Sequence, residues 1–150
     1  MLYKHMNEQI TFLVVEDNDL DVEKVERGFK RLKVSNPLER AKDGQEALDI
    51  LRGKGGKTKL KKPYMVLLDL NMPRMNGHEF LAELRKDKEL QATSVFVLTT
   101  SDREQDVKEA YEHNVAGYIV KPISREGVID TLGKLDAFWS LCKYPQNGSG

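Results

Sequence analysis

A single α/β domain is the fold class this sequence predicts: a doubly wound, five-stranded parallel sheet with helices on both faces. Three observations predict it. Apolar runs of strand length alternate five times with segments of helical periodicity, the order that yields right-handed crossovers and a parallel sheet. Most of the strand runs are apolar throughout rather than alternating, as strands covered on both faces are. The 150 residues suffice for one domain with a real core, but not for two.

The elements follow in order. Ile10-Thr11-Phe12-Leu13-Val14-Val15 reads as a buried strand ending on Glu16-Asp17. Asn18 or Asp19 can cap the next helix, with Leu20, Val22, Val25 and Phe29 as its inner stripe and Gly28 allowing close packing. Residues 37–41 form a short strand, and Asp43-Gly44 a turn. A helix over 46–51 turns Ala47, Leu48 and Leu51 inward. The central strand ends Val66-Leu67-Leu68-Asp69, and Pro73 stops it from continuing. After a turn at Asn76-Gly77, a helix over 78–86 carries Phe80, Leu81 and Leu84 on its apolar side. Ser94-Val95-Phe96-Val97-Leu98 is a buried strand ending on Thr99-Thr100-Ser101. Ser101 or Asp102 can cap the helix of Val107, Ala110 and Tyr111. Gly117-Tyr118-Ile119-Val120 is the last strand and ends on Lys121-Pro122. The last helix starts near Ser124, with Val128, Leu132, Leu135, Trp139 and Cys142 spaced as an apolar stripe.

Composition narrows the function. Lys plus Arg and Asp plus Glu both number 24, so no global charge draws the chain to nucleic acid or to an anionic membrane. No apolar run approaches the roughly 20 residues of a membrane span. The single cysteine, Cys142, excludes an intrachain disulfide and fits a reducing, cytoplasmic compartment. The polar residues 1–9 carry no signal-peptide core and read as an N-terminal arm. Residues 10–144 form the domain, and 145–150 a flexible tail. The basic, glycine-rich stretch over 52–62 reads as a solvated connection. It lacks the Gly-Lys-Ser/Thr order of a phosphate-cradling loop. His5, His78 and His113 have no zinc-like spacing with Cys142.

In a parallel sheet all carboxyl strand ends share one edge, where open α/β sheets bind their ligands. Here that edge collects Glu16, Asp17, Asp69, Thr99 and Lys121. Polar residues end strands commonly, but these types together make a chemical set. Three carboxylates repel one another unless a cation enters, and a few oxygens with open water positions suit Mg²⁺ or the similar Mn²⁺. Lys121 can grip an anion and Thr99 can donate a hydrogen bond to it. A site so furnished suits phosphoryl transfer onto a carboxylate, with central Asp69 as nucleophile.

At these residues the chain resembles the response-regulator receiver domains of two-component signalling, the CheY-like group. The resemblance spans about residues 10–141. It rests on Val14-Val15-Glu16-Asp17, on the run from Leu68-Asp69 through Met72-Pro73 to Asn76-Gly77, on Val97-Leu98-Thr99-Thr100-Ser101, and on Gly117-Tyr118-Ile119-Val120-Lys121-Pro122. It implies the flavodoxin-like receiver topology. It also implies that Asp69 is phosphorylated, that Glu16, Asp17, Asp69 and the Asn71 carbonyl hold the metal, and that Thr99, Thr100 and Lys121 contact the phosphoryl group. Thr99 and Tyr118 would be the switch pair, changing the surface of the fourth helix, fifth strand and fifth helix, and the Lys121-Pro122 bond would be cis.

The resemblance is narrower to single-domain regulators that serve phytochrome-type sensor kinases. It implies a sensor histidine kinase as phosphodonor and a homodimer through the last strand and helix. A histidine phosphotransfer protein is a further candidate partner. Phe138, Trp139, Leu141 and Tyr144 read as an aromatic interface at the chain's end. Such a chain is a phosphoacceptor rather than an enzyme, at most taking phosphate slowly from small donors and losing it again. Two alternatives remain. A Mg²⁺-dependent aspartyl phosphohydrolase would want an acid where Asn71 stands. A flavodoxin-like binding module would want a phosphate-cradling turn where the acidic run Glu16-Asp17-Asn18-Asp19 stands.

Overall fold

A computed structural model describes residues 10–143 of the chain. The strands are β1 (Thr11–Val15), β2 (Leu38–Ala41), β3 (Tyr64–Leu68), β4 (Val95–Thr99) and β5 (Gly117–Val120). The helices are α1 (Asp19–Arg31), α2 (Gly44–Arg52), α3 (Gly77–Lys86), α4 (Glu104–Glu112) and α5 (Arg125–Trp139). The strands form one parallel sheet in the order β2-β1-β3-β4-β5.

The period-two alternation of each strand feeds two cores. Leu13, Val15, Val66, Leu68, Val95 and Val97 face α2, α3 and α4, where Leu48, Leu51, Phe80, Leu81, Leu84 and Ala110 are buried. Phe12, Val14, Met65, Leu67, Phe96 and Leu98 face α1 and α5, against Val25, Phe29, Val128 and Leu132. Gly28 has the role its position suggested. A Cβ there would stand 2.6 Å from Leu132 Cδ1, so the absent side chain lets α1 and α5 close together.

Several local expectations are corrected. Leu20 is exposed, because it lies two residues from Val22, about 200° around the helix, and cannot share its face. Asn18 is the cap of α1, accepting from the Asp21 N–H at 3.1 Å. Asp43-Gly44 and Asn76-Gly77 are helix starts rather than free turns. Asp43 caps α2, and Asn76 with Glu79 forms a reciprocal capping box on α3. At α4 neither Ser101 nor Asp102 is the cap residue; Arg103 holds that place without a side-chain bond, while the Ser101 hydroxyl turns to Asp106.

Trp139 is the main correction at the chain's end. It is 2% exposed, its ring centroid 4.7 Å from that of Phe12 and 6.0 Å from that of Phe96. It closes the second core and is not available as an interface residue. Phe138, one position earlier, lies about 100° away around the helix and is exposed, as is Leu141. Tyr144 lies outside the described residues. No described helix is long and apolar enough to cross a membrane.

Candidate functional site

The sheet brings the ends of β1, β3, β4 and β5 to one edge. Hydrogen bonds continue the ladder just past the strands and fix these ends against one another. The Asp69 N–H donates to the Val15 carbonyl at 3.0 Å, and the Lys121 N–H to the Thr99 carbonyl at 2.7 Å. Asp69 therefore sits between the acidic pair of β1 and the hydroxyl of β4. Glu16, Asp17 and Asp69 each present a carboxylate oxygen, and these oxygens lie within 4.8 Å of one another. Glu16 and Asp69 are buried, while Asp17 is exposed at the mouth.

The Lys121 ammonium enters this cluster from β5. It is hydrogen-bonded to the Glu16 carboxylate, 3.0 Å from Asp21 Oδ2 and 3.9 Å from Asp69 Oδ2. Burial raises the Glu16 carboxyl to about 7, assisted by the charge of Asp69 and opposed by Lys121. Burial also acts to lower the Lys121 ammonium, but Glu16, Asp69 and Asp21 outweigh it and hold it above its ordinary value. The cluster is thus short of positive charge in its buried part.

Thr99 is fully buried, and its Oγ1 has no hydrogen-bond partner among the described residues. A buried hydroxyl left unpaired is costly unless a ligand supplies an acceptor. Three convergent carboxylates and this hydroxyl fit a divalent cation accompanied by an anionic group. Thr100 follows on the exposed loop. Asn71 is exposed too, and its N–H points to Asp69 Oδ1 at 3.5 Å.

The loop after β3 is anchored on both sides. Leu70 is buried, and the Gly77 N–H donates to its carbonyl at 3.0 Å. A Cβ on Gly77 would stand 2.8 Å from the Asp69 carbonyl, so only glycine lets α3 start this close to the acidic residue. Arg74, with φ of 62°, reaches the buried Asp43 carboxylate, and the Gly44 N–H donates to the Met75 carbonyl at 3.0 Å.

Tyr118 is half-buried, and its hydroxyl donates to the Ser101 carbonyl at 2.8 Å. Ser101 in turn bonds Asp106, which faces His78 Nε2 at 3.0 Å. The tyrosine is thereby tied to the loop that follows Thr99. The expected cis bond is corrected: the cis X-Pro bond among the described residues is Lys62-Pro63, and Lys121-Pro122 is trans. Trans is the default for X-Pro by about 0.5–1 kcal/mol, and from it Lys121 already reaches all three carboxylates, so nothing here selects the rarer form.

Sequence reasoning missed two groups. Asp21 lies in the first turn of α1, just past the acidic pair, and it shares Lys121 with Glu16. Arg40 contacts the same loop from β2. A charged residue inside so short a strand was the available signal.

Comparison with known proteins places this fold in a family. A family model described as response regulator receiver domain matches residues 12–132. The probable methanogenesis regulatory protein FilR2 of Methanothrix harundinacea is 40% identical over 128 residues, 85% of this chain and 81% of its own length. Response regulator Rcp1 of Synechocystis sp. is 33% identical over 127 residues, 85% of this chain and 86% of its own. The crystal structure of the Mn²⁺-bound form of Rcp1 superposes with a TM-score of 0.82 at 32% identity, covering 90% of this chain and 98% of that one. The crystal structure of the phosphorylated cyanobacterial phytochrome response regulator RcpA gives a TM-score of 0.85 at 31% identity, covering 92% and 99%.

Proposed function

This chain belongs to the response regulator receiver domain family, and on that premise we propose that Asp69 is its phosphoacceptor, charged by a sensor histidine kinase. The observation that carries the reading is the meeting of Glu16, Asp17 and Asp69 around one point, with Lys121 and the unpaired Thr99 hydroxyl beside them. Glu16, Asp17, Asp69 and the Asn71 carbonyl would hold Mg²⁺ or Mn²⁺, which supplies the charge that lets phosphoryl oxygens approach three carboxylates. An Asp69 carboxylate oxygen forms the new bond to phosphorus as the bond to the donor's leaving group breaks. Lys121 balances charge on the incoming group, and Thr99 gives it a hydrogen bond. Asn71 offers no acid to protonate an ester leaving group, so the chain is not expected to turn over phosphate esters.

The same chemistry supplies the switch. Thr99 leads directly into the loop whose Ser101 carbonyl holds Tyr118, so drawing Thr99 toward a phosphoryl group pulls on that hydrogen bond. The surface that follows includes Tyr111, Val120 and Phe138, all exposed, with Leu141 nearby in sequence. A homodimer through β5 and α5 is our reading of these exposed apolar residues, and a phytochrome-type kinase our reading of the donor, in line with the similar structures described as a cyanobacterial phytochrome response regulator and as bacteriophytochrome response regulators. Beryllium trifluoride with Mg²⁺, a tetrahedral stand-in for the phosphoryl group, tests the switch. The amide NMR signals of Thr99, Ser101 and Tyr118 are expected to move on saturation. Saturation that leaves Ser101 and Tyr118 in place would remove the switch from the reading.

A further inference from the structure

We infer that Arg40 is a positioning residue for the cation site, a role that rests on the phosphoacceptor reading and goes beyond it. Arg40 lies on β2, paired with Val14 of β1 two residues before Glu16. Its side chain spans the end of β1 and clasps the loop beyond. Nε donates to the Glu16 carbonyl at 2.9 Å, and Nη2 donates to the Asp17 carbonyl at 3.1 Å. The same nitrogen lies 2.8 Å from Asp19 Oδ1. The two carbonyls belong to the two residues whose carboxylates face Asp69.

Arg40 preorganises the loop. An acidic run of four carboxylates within six residues, Glu16, Asp17, Asp19 and Asp21, repels itself and would spread apart. Ladder bonding ends where the Glu16 N–H meets the Ala41 carbonyl at 2.9 Å, so the peptide units beyond have no strand to hold them. The planar guanidinium supplies what the ladder no longer does: two donors in fixed relation on successive carbonyls. With those carbonyls fixed, the side chains of Glu16 and Asp17 leave the backbone toward Asp69. The arginine side chain is 22% exposed; its bond to the Glu16 carbonyl is partly buried, and its bond to the Asp17 carbonyl lies at the surface.

Charge and position predict opposite signs, and this makes the inference testable. Arg40 is a cation close to a cation site, so by Coulomb's law alone its removal tightens metal binding. If Arg40 instead holds the loop, removal weakens binding. We would measure Mn²⁺ affinity of the full chain by the electron paramagnetic resonance signal of free Mn²⁺, for native protein, Arg40→Gln and Arg40→Lys, with thermal melts in chelator to compare folding. Arg40→Gln is expected to bind about tenfold more weakly, in the range seen when partners of metal ligands are removed. Arg40→Lys keeps the charge but loses the fork, and is expected to remain several-fold weaker than native. If Arg40→Gln does not fold, the lysine variant alone decides. Equal or tighter binding in the variants overturns the inference while leaving the site intact. No binding by the native chain overturns the phosphoacceptor reading itself.

Discussion

Replacing Lys121 with Met is expected to cost about 3 kcal/mol of folding stability at pH 8 without divalent cation, the scale of breaking a buried ion pair from one side. Its ammonium serves Glu16, Asp21 and Asp69, and two of these are buried. The loss depends on pH with a definite sign. Glu16 titrates at about 7 in the fold against an ordinary 4.5. The folded chain therefore holds a proton that the unfolded chain has released. The stability this gives is complete below about 4.5 and disappears as pH rises through about 7. Without Lys121 the ionised Glu16 is costlier still, so the variant's deficit is larger at pH 8 than at pH 5. Mg²⁺ should recover much of it at pH 8, because the ion displaces the proton and replaces the missing charge. Urea unfolding at the two pH values, with and without Mg²⁺, checks this. A deficit equal at both would show that Glu16 is not the group Lys121 restrains.

Trp139→Ala is expected to destabilise the fold by about 3–5 kcal/mol, as large aromatic truncations in cores do. The ring fills the space between Phe12, Phe29 and Phe96 at the amino end of β1 and β4. Phe138→Ser, one residue earlier, removes a half-exposed ring that meets Phe96 edge-on at 6.1 Å between centroids, and should cost about 1–2 kcal/mol, well below the tryptophan change. That second variant is expected to weaken the proposed homodimer in sedimentation. Denaturant melts of both, run beside the sedimentation profiles, separate the core residue from the interface residue. If Trp139→Ala stays stable and loses only the dimer, the assignment of the two is reversed.

The contrast between those neighbours shows what the chain's order could reveal. Apolar strand runs such as Val66-Leu67-Leu68 were legible because both sheet faces are covered, so every side chain in them is apolar. The strand ends were legible because parallel order alone sends them to one edge, and Glu16, Asp17, Asp69, Thr99 and Lys121 are found there. Phe138 and Trp139 were separable by spacing, since Trp139 continues the stripe of Val128, Leu132 and Leu135 and Phe138 does not; reading both as an interface treated an aromatic cluster as one surface and overrode that stripe. Asp21 and Arg40 were missed for a different reason: one joins the site through a helix's first turn, the other through a neighbouring strand, and strand-end reasoning sees neither.

The most direct test of the account is the intact mass of the chain after incubation with a small phosphodonor, native against Asp69→Asn, with and without Mg²⁺. One added phosphoryl group is expected on the native chain with Mg²⁺, and none without the ion or in the variant. A native chain that stays unmodified with both the donor and an active sensor kinase, or a phosphoryl group that persists in Asp69→Asn, would contradict it.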